Sequence, residues 1–418
     1  MRFSGPSAPF HATVMVPGDK SMSHRSLILA AMARGKSRIL HLGGGADVES
    51  TRAALRLFGV TVGPDEVASS GIDGWTQPAG AVDAGNSGTT MRLLAGAVAG
   101  RPFATTFEGD RSLMSRPMER LATALRSLGA GVSVGADGRP PVTVIGAMLH
   151  GAHVEIAIPS AQLRTAAALA ALQASGATSI SSPPGYRDHT ERWLAALGLG
   201  SGDAPFVVNP GAVPPLEIDL PGDSSSAAFL WVSAAVNRGS TVLTERVTLN
   251  PGRIGLLAIL KRMGAEVTAF ETERVLGDPV GDVEVTGSGL AGVEVRGVET
   301  VQAIDELPAL AVAAAYAAGP TVVADAAELR AKETDRIAAI VAMIRGLGGR
   351  ARVTSDGFEI EPVPLTGGTV DSRGDHRIAM AAAVAAGSGV EVEVDGFGVA
   401  GVSWPGVEHA LEAMWSSR

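Results

Sequence analysis

Six of the seven positions 19–25 carry groups able to bind or move charge: Asp19, Lys20, Ser21, Ser23, His24 and Arg25. They open the stretch PGDKSMSHRSLILAAMARG (17–35), which turns at once into an apolar, alanine-rich run ending on glycine. The same arrangement recurs as AGNSGTTMRLLAGAVAG (84–100), IPSAQLRTAAALAALQASG (158–176), LPGDSSSAAFLWVSAAVNRG (220–239), AIDELPALAVAAAYAAG (303–319) and DSRGDHRIAMAAAVAAG (371–387). Each cluster falls where a helix should begin. The first N–H groups of a helix have no intrahelical partner and its dipole is positive there, so such ends attract anions. Several clusters add cations or donors: Lys20, Ser21 and Arg25; Ser87, Thr89, Thr90 and Arg92; Ser160, Gln162 and Arg164; Arg373, His376 and Arg377. Six such ends in one chain predict a shared anion-binding surface rather than six isolated caps.

Further charged motifs lie between these clusters. SRPMERL (115–121) puts Arg116 before Pro117 at the expected first helical position, where a guanidinium can fork onto a carboxylate or phosphate. RAKETDRI (330–337) carries Lys332, Glu333, Asp335 and Arg336; on a helix Lys332 and Arg336 share a face with Glu333 beside it. In AIDELP (303–308), Asp305 and Glu306 stand at the mouth of an alanine-rich helix. A carboxylate among cations stays ionised at neutral pH and is a candidate general base. His376, flanked by Asp375 and Arg377, reads as a capped structural residue, since no His/carboxylate spacing supports a metal.

Composition narrows the function classes. The chain has 418 residues, no cysteine and a formal net charge of −9. Thiol nucleophiles, zinc-thiolate sites and disulfides are therefore excluded, and bulk charge argues against a nucleic-acid binder. No G-x-x-x-x-G-K-[ST] loop is present, and no G-x-G-x-x-G follows a strand in a βαβ unit, so nucleotide dependence is not expected. The N-terminus shows no signal peptide and no long apolar span appears, which makes a soluble cytoplasmic protein the expectation.

The elements that must position these groups repeat as well. Each alanine-rich run is followed by an amphipathic helix: DVESTRAALRLFG (47–59), SRPMERLATALRSLG (115–129), RDHTERWLAALG (187–198), GRIGLLAILKRMG (252–264), KETDRIAAIVAMIRGLG (332–348) and, more weakly, SWPGVEHALEAMWSS (403–417). Short β-rich pieces such as TVLTERV (241–247) lie between. Each unit reads strand–helix–strand–helix–strand–strand, repeated at intervals of about sixty to eighty residues. Helices apolar nearly all round should be buried on every side, and charged ones should face solvent. The expectation is an α/β protein of two inside-out domains, three units each, with buried helices inside and sheets outside. One domain spans 17–220; the other comprises 1–16 and 221–418, with hinge segments near 16–18 and 220–222. Parallel buried helices would bring their N-termini together, and opposed positive faces predict an open form that anionic ligands close.

The motifs GDKSMSHR, GNSGTTMRL, SRPMERL, SAQLRTA, GYRDHTERWL, GDSSSAAF, IDELPALA, KETDRI and DHRIAM, in that order, resemble those of the 5-enolpyruvylshikimate-3-phosphate synthases (3-phosphoshikimate 1-carboxyvinyltransferases). The resemblance runs nearly end to end. It implies transfer of the enolpyruvyl group of phosphoenolpyruvate to the 5-hydroxyl of shikimate-3-phosphate through a tetrahedral intermediate, with no metal or cofactor, and inhibition by glyphosate; a monomer that binds no nucleic acid or membrane is the separate expectation. It places shikimate-3-phosphate against Lys20, Ser21, Arg25, Ser160, Ala161, Gln162, Arg187, Asp305, Glu328 and Lys332. Phosphoenolpyruvate falls against Lys20, Asn86, Gly88, Arg116, Gln162, Arg336 and Arg377. Asp305 would take the hydroxyl proton with help from Lys20, Glu333 would protonate the methylene carbon, and Glu306 is the alternative to Asp305. Three positions depart from the pattern: Val402 stands where many members carry a lysine, Ala161 where some have serine, and Glu328 where others have asparagine. A transferase acting on UDP-N-acetylglucosamine and a non-catalytic repeat scaffold are the competing readings; the former usually relies on a loop cysteine that this chain lacks.

Overall fold

The structure is a computed structural model and describes residues 1–417. It divides into two compact units, an N-terminal unit of Gly18–Leu220 with Arg274–Asp278, and a C-terminal unit of Met1–Pro17, Pro221–Glu273 and Pro279–Arg418. Nothing in the sequence marks residues 274–278 as belonging with the N-terminal unit. There the buried Asp278 carboxylate accepts hydrogen bonds from His189 Nδ1 and Trp193 Nε1, both at 2.8 Å.

In the N-terminal unit the alanine-rich helices are α1 (Lys20–Met32), α3 (Gly88–Val98) and α5 (Ala161–Ala171), alternating with the amphipathic α2 (Ala46–Leu57), α4 (Glu119–Arg126) and α6 (His189–Ala196). The C-terminal unit has buried α7 (Ser224–Ala235), α10 (Leu307–Ala315) and α12 (His376–Ala385). With them run α8 (Gly255–Met263), a short α9 (Val298–Gln302), α11 (Arg336–Gly346) and α13 (Val407–Ser416). Every residue of α7, α10 and α12 is buried, because with no charged face each must be covered all round. Among the described residues no helix is long and apolar enough to cross a membrane.

The sheets share one topology. In the unit around α3 and α4, strand Val82–Asp83 pairs parallel with Ala104–Glu108, which pairs antiparallel with Val142–Ile145, itself antiparallel to Gly131–Val134. Two units borrow their first strand from a distant part of the chain. Glu217–Asp219 pairs parallel with Arg34–Leu40, and His11–Val14 pairs parallel with Thr241–Thr248. The last unit is reduced to three strands, completed by Arg2–Ser4 against Glu391–Asp395. This is the two-domain inside-out α/β fold, with helices in the core and sheets around them.

Serine or aspartate caps five of the six buried helices, each side chain accepting from a first-turn amide: Asp19, Ser87, Ser160, Asp223 and Asp375. The sixth, α10, has Glu306 at its cap and proline in its first turn. Small residues let the buried helices approach. A Cβ at Gly96 of α3 would collide with the backbone of Ala166 in α5. Gly96→Ala is therefore expected to push these helices apart and lower the unfolding free energy by roughly 1–3 kcal/mol. Urea denaturation measures this, and an unchanged midpoint would contradict the packing described.

Candidate active site

In the N-terminal unit the first turns of the buried helices are bonded to one another. Arg25 of α1 donates from Nη2 to Thr165 Oγ1 of α5 at 2.9 Å, and from Nε to Thr190 Oγ1 of α6 at 2.8 Å. Gln162 of α5 donates from Nε2 to Thr89 Oγ1 of α3 at 2.8 Å and accepts from Arg92 Nη1 at 2.7 Å. His24 of α1 is joined through Nδ1 to Thr51 Oγ1 of α2, and Thr51 to Thr90 Oγ1 of α3, each at 2.7 Å. These bonds gather Lys20, Ser21, Arg25, Gly88, Ser160, Ala161 and Gln162 at one end of the unit. Lys20 pairs with Asp47 at 3.0 Å. Arg116 donates to Asn86 Oδ1 at 2.6 Å, and Asn86 donates to Asp110 Oδ2 at 2.6 Å. A Cβ at Gly88 would lie 2.6 Å from Arg92 Nη1 and 3.2 Å from Arg116 Nη1, so two guanidiniums close on the bare backbone. Arg187 is half-buried on the segment between strand Thr178–Ser181 and α6.

The C-terminal unit gathers its cluster in the same way. Glu306, at the cap of α10, accepts from Ser225 Oγ in the first turn of α7. Arg377 in the first turn of α12 donates from Nη1 to the Asp305 carbonyl at 2.9 Å. The Asp305 carboxylate faces three cations: Arg336 at 3.2 Å, Arg377 at 3.5 Å and Lys332 at 3.6 Å. Arg336 is buried and also reaches Asp375 at 2.8 Å and Glu333 at 2.5 Å. Burial opposes its charge, but Glu333, Asp375 and Asp305 together outweigh that and hold its pKa above the usual arginine range. Burial likewise opposes the charge on Asp375, yet Arg336 holds its carboxyl below the usual range.

The geometry corrects two local expectations. Pro117 is not the first helical residue: α4 begins at Glu119, and Arg116 follows the turn Leu113–Ser115 in extended conformation. Lys332 and Glu333 do not lie on a helix with Arg336, because α11 begins at Arg336 itself, capped by Asp335. They sit on the segment before it, and ion pairs rather than helical spacing bring them to Asp305 and Arg336. Between the two acids of AIDELP, Glu306 is buried and engaged with Ser225, whereas Asp305 is partly accessible and ringed by cations. Glu328 is exposed on the turn Ala327–Ala331. Val402 is half-buried on the turn Phe397–Val402. Among the described residues no three His, Asp or Glu side chains are arranged to hold a metal ion.

The family model for EPSP synthase (3-phosphoshikimate 1-carboxyvinyltransferase) matches residues 5–411. The chain belongs to the EPSP synthase family. It is 46% identical over 387 residues to the 3-phosphoshikimate 1-carboxyvinyltransferase of Chloroflexus aurantiacus, covering 89% of each chain. Identity to the Desulforudis audaxviator protein of the same name is 42% over 421 residues, covering 98% of each. The solved structure of EPSP synthase from Acinetobacter baumannii superposes with a TM-score of 0.85 at 38% identity, covering 99% of this chain and 98% of that one. The enolpyruvyl transferase NikO from Streptomyces tendae shares the fold at a TM-score of 0.76 and 17% identity.

Within this EPSP synthase family member, several residues at the clusters escaped the sequence reading. Asp47, the partner of Lys20, reads in sequence as an ordinary acid in the first turn of a helix. Thr165 and Thr190, which hold Arg25, look like helix interior, and Asp110 looks like a loop acid. Their only signal is position near the shared motifs.

His24 carries a consequence for stability. Burial is the main cause that pushes its pKa from 6.5 down to about 3; Lys20 and Arg25 add to this and Asp47 opposes it. Between those values the unfolded chain takes up a proton that the folded one refuses. Stability is thus full above pH 6.5 and falls as the pH drops below it, by up to about 1.4 kcal/mol per pH unit for this group. His24→Asn should flatten the dependence of unfolding free energy on pH between 6.5 and 4.5 by about one proton. Equal slopes for the two proteins would refute a neutral buried imidazole.

Proposed function

We propose that the protein transfers the enolpyruvyl group of phosphoenolpyruvate to the 5-hydroxyl of shikimate-3-phosphate and releases phosphate, as the names of its relatives indicate. The observation that carries this reading is the surroundings of Asp305, an accessible carboxylate held by Lys332, Arg336 and Arg377. A base so placed can accept a hydroxyl proton, while its neighbours bind the anionic groups that bring the hydroxyl to it. Both substrates carry several negative charges, which accounts for an acidic protein concentrating its cations at helix mouths.

The hydroxyl oxygen bonds to C2 of phosphoenolpyruvate as its proton passes to Asp305, assisted by Lys20, and a proton is added at C3. The tetrahedral intermediate then loses a C3 proton and the C2–O bond to phosphate, which restores the double bond. Glu333 is the proposed donor to C3. It is engaged with Arg336, so donation requires the carboxylate of phosphoenolpyruvate to take Arg336 in its place. Phosphoenolpyruvate is proposed to meet Lys20, Asn86, Gly88, Arg116, Gln162, Arg336 and Arg377. Shikimate-3-phosphate is proposed to meet Lys20, Ser21, Arg25, Ser160, Ala161, Gln162, Arg187, Asp305 and Lys332, with Glu328 at the periphery. Val402 contributes no charge, which leaves the charged contacts to phosphoenolpyruvate to Lys20, Arg116, Arg336 and Arg377.

Phosphate release should follow mixing with phosphoenolpyruvate and shikimate-3-phosphate, and not with phosphoenolpyruvate and UDP-N-acetylglucosamine. Asp305→Asn should lower kcat by about 10²-fold or more while the KM values move little; undiminished turnover would reject Asp305 as the base. Glyphosate should compete with phosphoenolpyruvate. A methyl group at Gly88 crowds both Arg92 and Arg116, so Gly88→Ala should weaken that inhibition by about tenfold or more. Steady-state inhibition of both proteins measures it, and equal inhibition constants would place glyphosate elsewhere.

A further inference from the structure

The roles above leave Arg164 without one, although it lies in the same turn of α5 as Gln162 and is only 1% exposed. Its guanidinium organises the segment that carries Arg187. Nη1 donates to Ser182 Oγ at 3.1 Å and to the Ile180 carbonyl at 3.4 Å, where the preceding strand ends. The guanidinium carbon lies 4.2 Å from the ring centroid of Tyr186, next to Arg187 in the chain. Nε donates to Glu191 Oε1 at 2.5 Å in the first turn of α6. One side chain thus touches the start, the middle and the far side of the segment. Its Nη2 is buried without a hydrogen-bond partner among the described residues.

Arg25 is also buried, and its surroundings are the reverse. It donates to Thr190 Oγ1, Thr165 Oγ1 and the Ser21 carbonyl, all neutral oxygens. Among the described residues none supplies it with a carboxylate partner. A buried guanidinium without a counter-ion is costly. Burial pulls its pKa down to about 10; Glu191, Asp19 and Asp278 oppose this from a distance, and the nearby Arg187 adds to it. Glu191 is therefore close enough to be felt at Arg25, yet its ion pair is with Arg164.

We propose that Arg164 is a positioning residue that holds Glu191 away from Arg25 and braces the segment carrying Arg187, so that Arg25 remains available to the anionic acceptor. Released from Arg164, Glu191 would be free to pair with Arg25, where its charge is already felt. An incoming phosphate or carboxylate would then have to displace a carboxylate already in place. The inference rests on the assignment of Arg25 and Arg187 to shikimate-3-phosphate.

Calorimetric titration with shikimate-3-phosphate tests it on wild type, Arg164→Met, Glu191→Gln, the double variant and Arg25→Met, with KM for phosphoenolpyruvate measured alongside. Arg164→Met should weaken acceptor binding about tenfold while that KM stays within about twofold. Removing the carboxylate as well should recover most of the loss, a rescue that a purely structural role for Arg164 would not produce. Glu191→Gln alone should bind the acceptor at least as tightly as wild type. A double variant as weak as Arg164→Met overturns the proposal. So does weaker binding by Glu191→Gln alone, which decides the matter if Arg164→Met does not fold. Unchanged affinity in Arg25→Met would instead show that the acceptor assignment itself is wrong.

Discussion

Burying a helix on all sides also buries its ends, and this constraint organises both units. The first-turn amides and the positive end of each dipole need acceptors away from bulk water. The chain supplies them with capping serines and aspartates, and then adds Lys20, Arg25, Arg336 and Arg377 beside those ends. Cations held beside these helix ends are the physical basis for taking up substrates that carry several negative charges.

The acids that are present are not interchangeable. Asp375 caps α12 and at the same time pairs with Arg336, so it is committed to holding the helix mouth. Glu306 is buried against Ser225 and braces α10 on α7. Asp305, one residue earlier, keeps an accessible carboxylate among three cations. Glu191 and Asp47 occupy an intermediate position, pairing with Arg164 and Lys20. Accessibility and partners, not residue type, distinguish these carboxylates from one another.

Hydroxyl groups carry much of the internal precision. The chain from His24 through Thr51 to Thr90 links three helices without placing a charge in the core. Thr165 and Thr190 orient Arg25 while leaving its charge unneutralised. Neutral acceptors satisfy a guanidinium's geometry but not its electrostatics.

The repeat of an apolar alanine-rich run and an amphipathic partner was legible because hydrophobic periodicity is local, and it located the buried and covering helices to within a few residues. The clustered motifs likewise named Lys20, Arg25, Asp305, Arg336 and Arg377 as candidates, since cations at helix mouths have a recognisable spacing. Other features depend on partners far away in the chain. The strands His11–Val14 and Glu217–Asp219 complete sheets whose other strands are remote in sequence, and no local pattern announces this. Lys332 and Glu333 reach Asp305 and Arg336 from a segment outside any helix, so helical spacing was the wrong guide. Asp47 as the partner of Lys20, and Arg164 as the partner of Glu191, emerged only once α1 was packed on α2 and α5 on α6. Sequence by itself determined which residues could bury and which could bind charge, because those are properties of the side chains. Which carboxylate faces which guanidinium was decided by tertiary packing alone, because an ion pair is a property of distance.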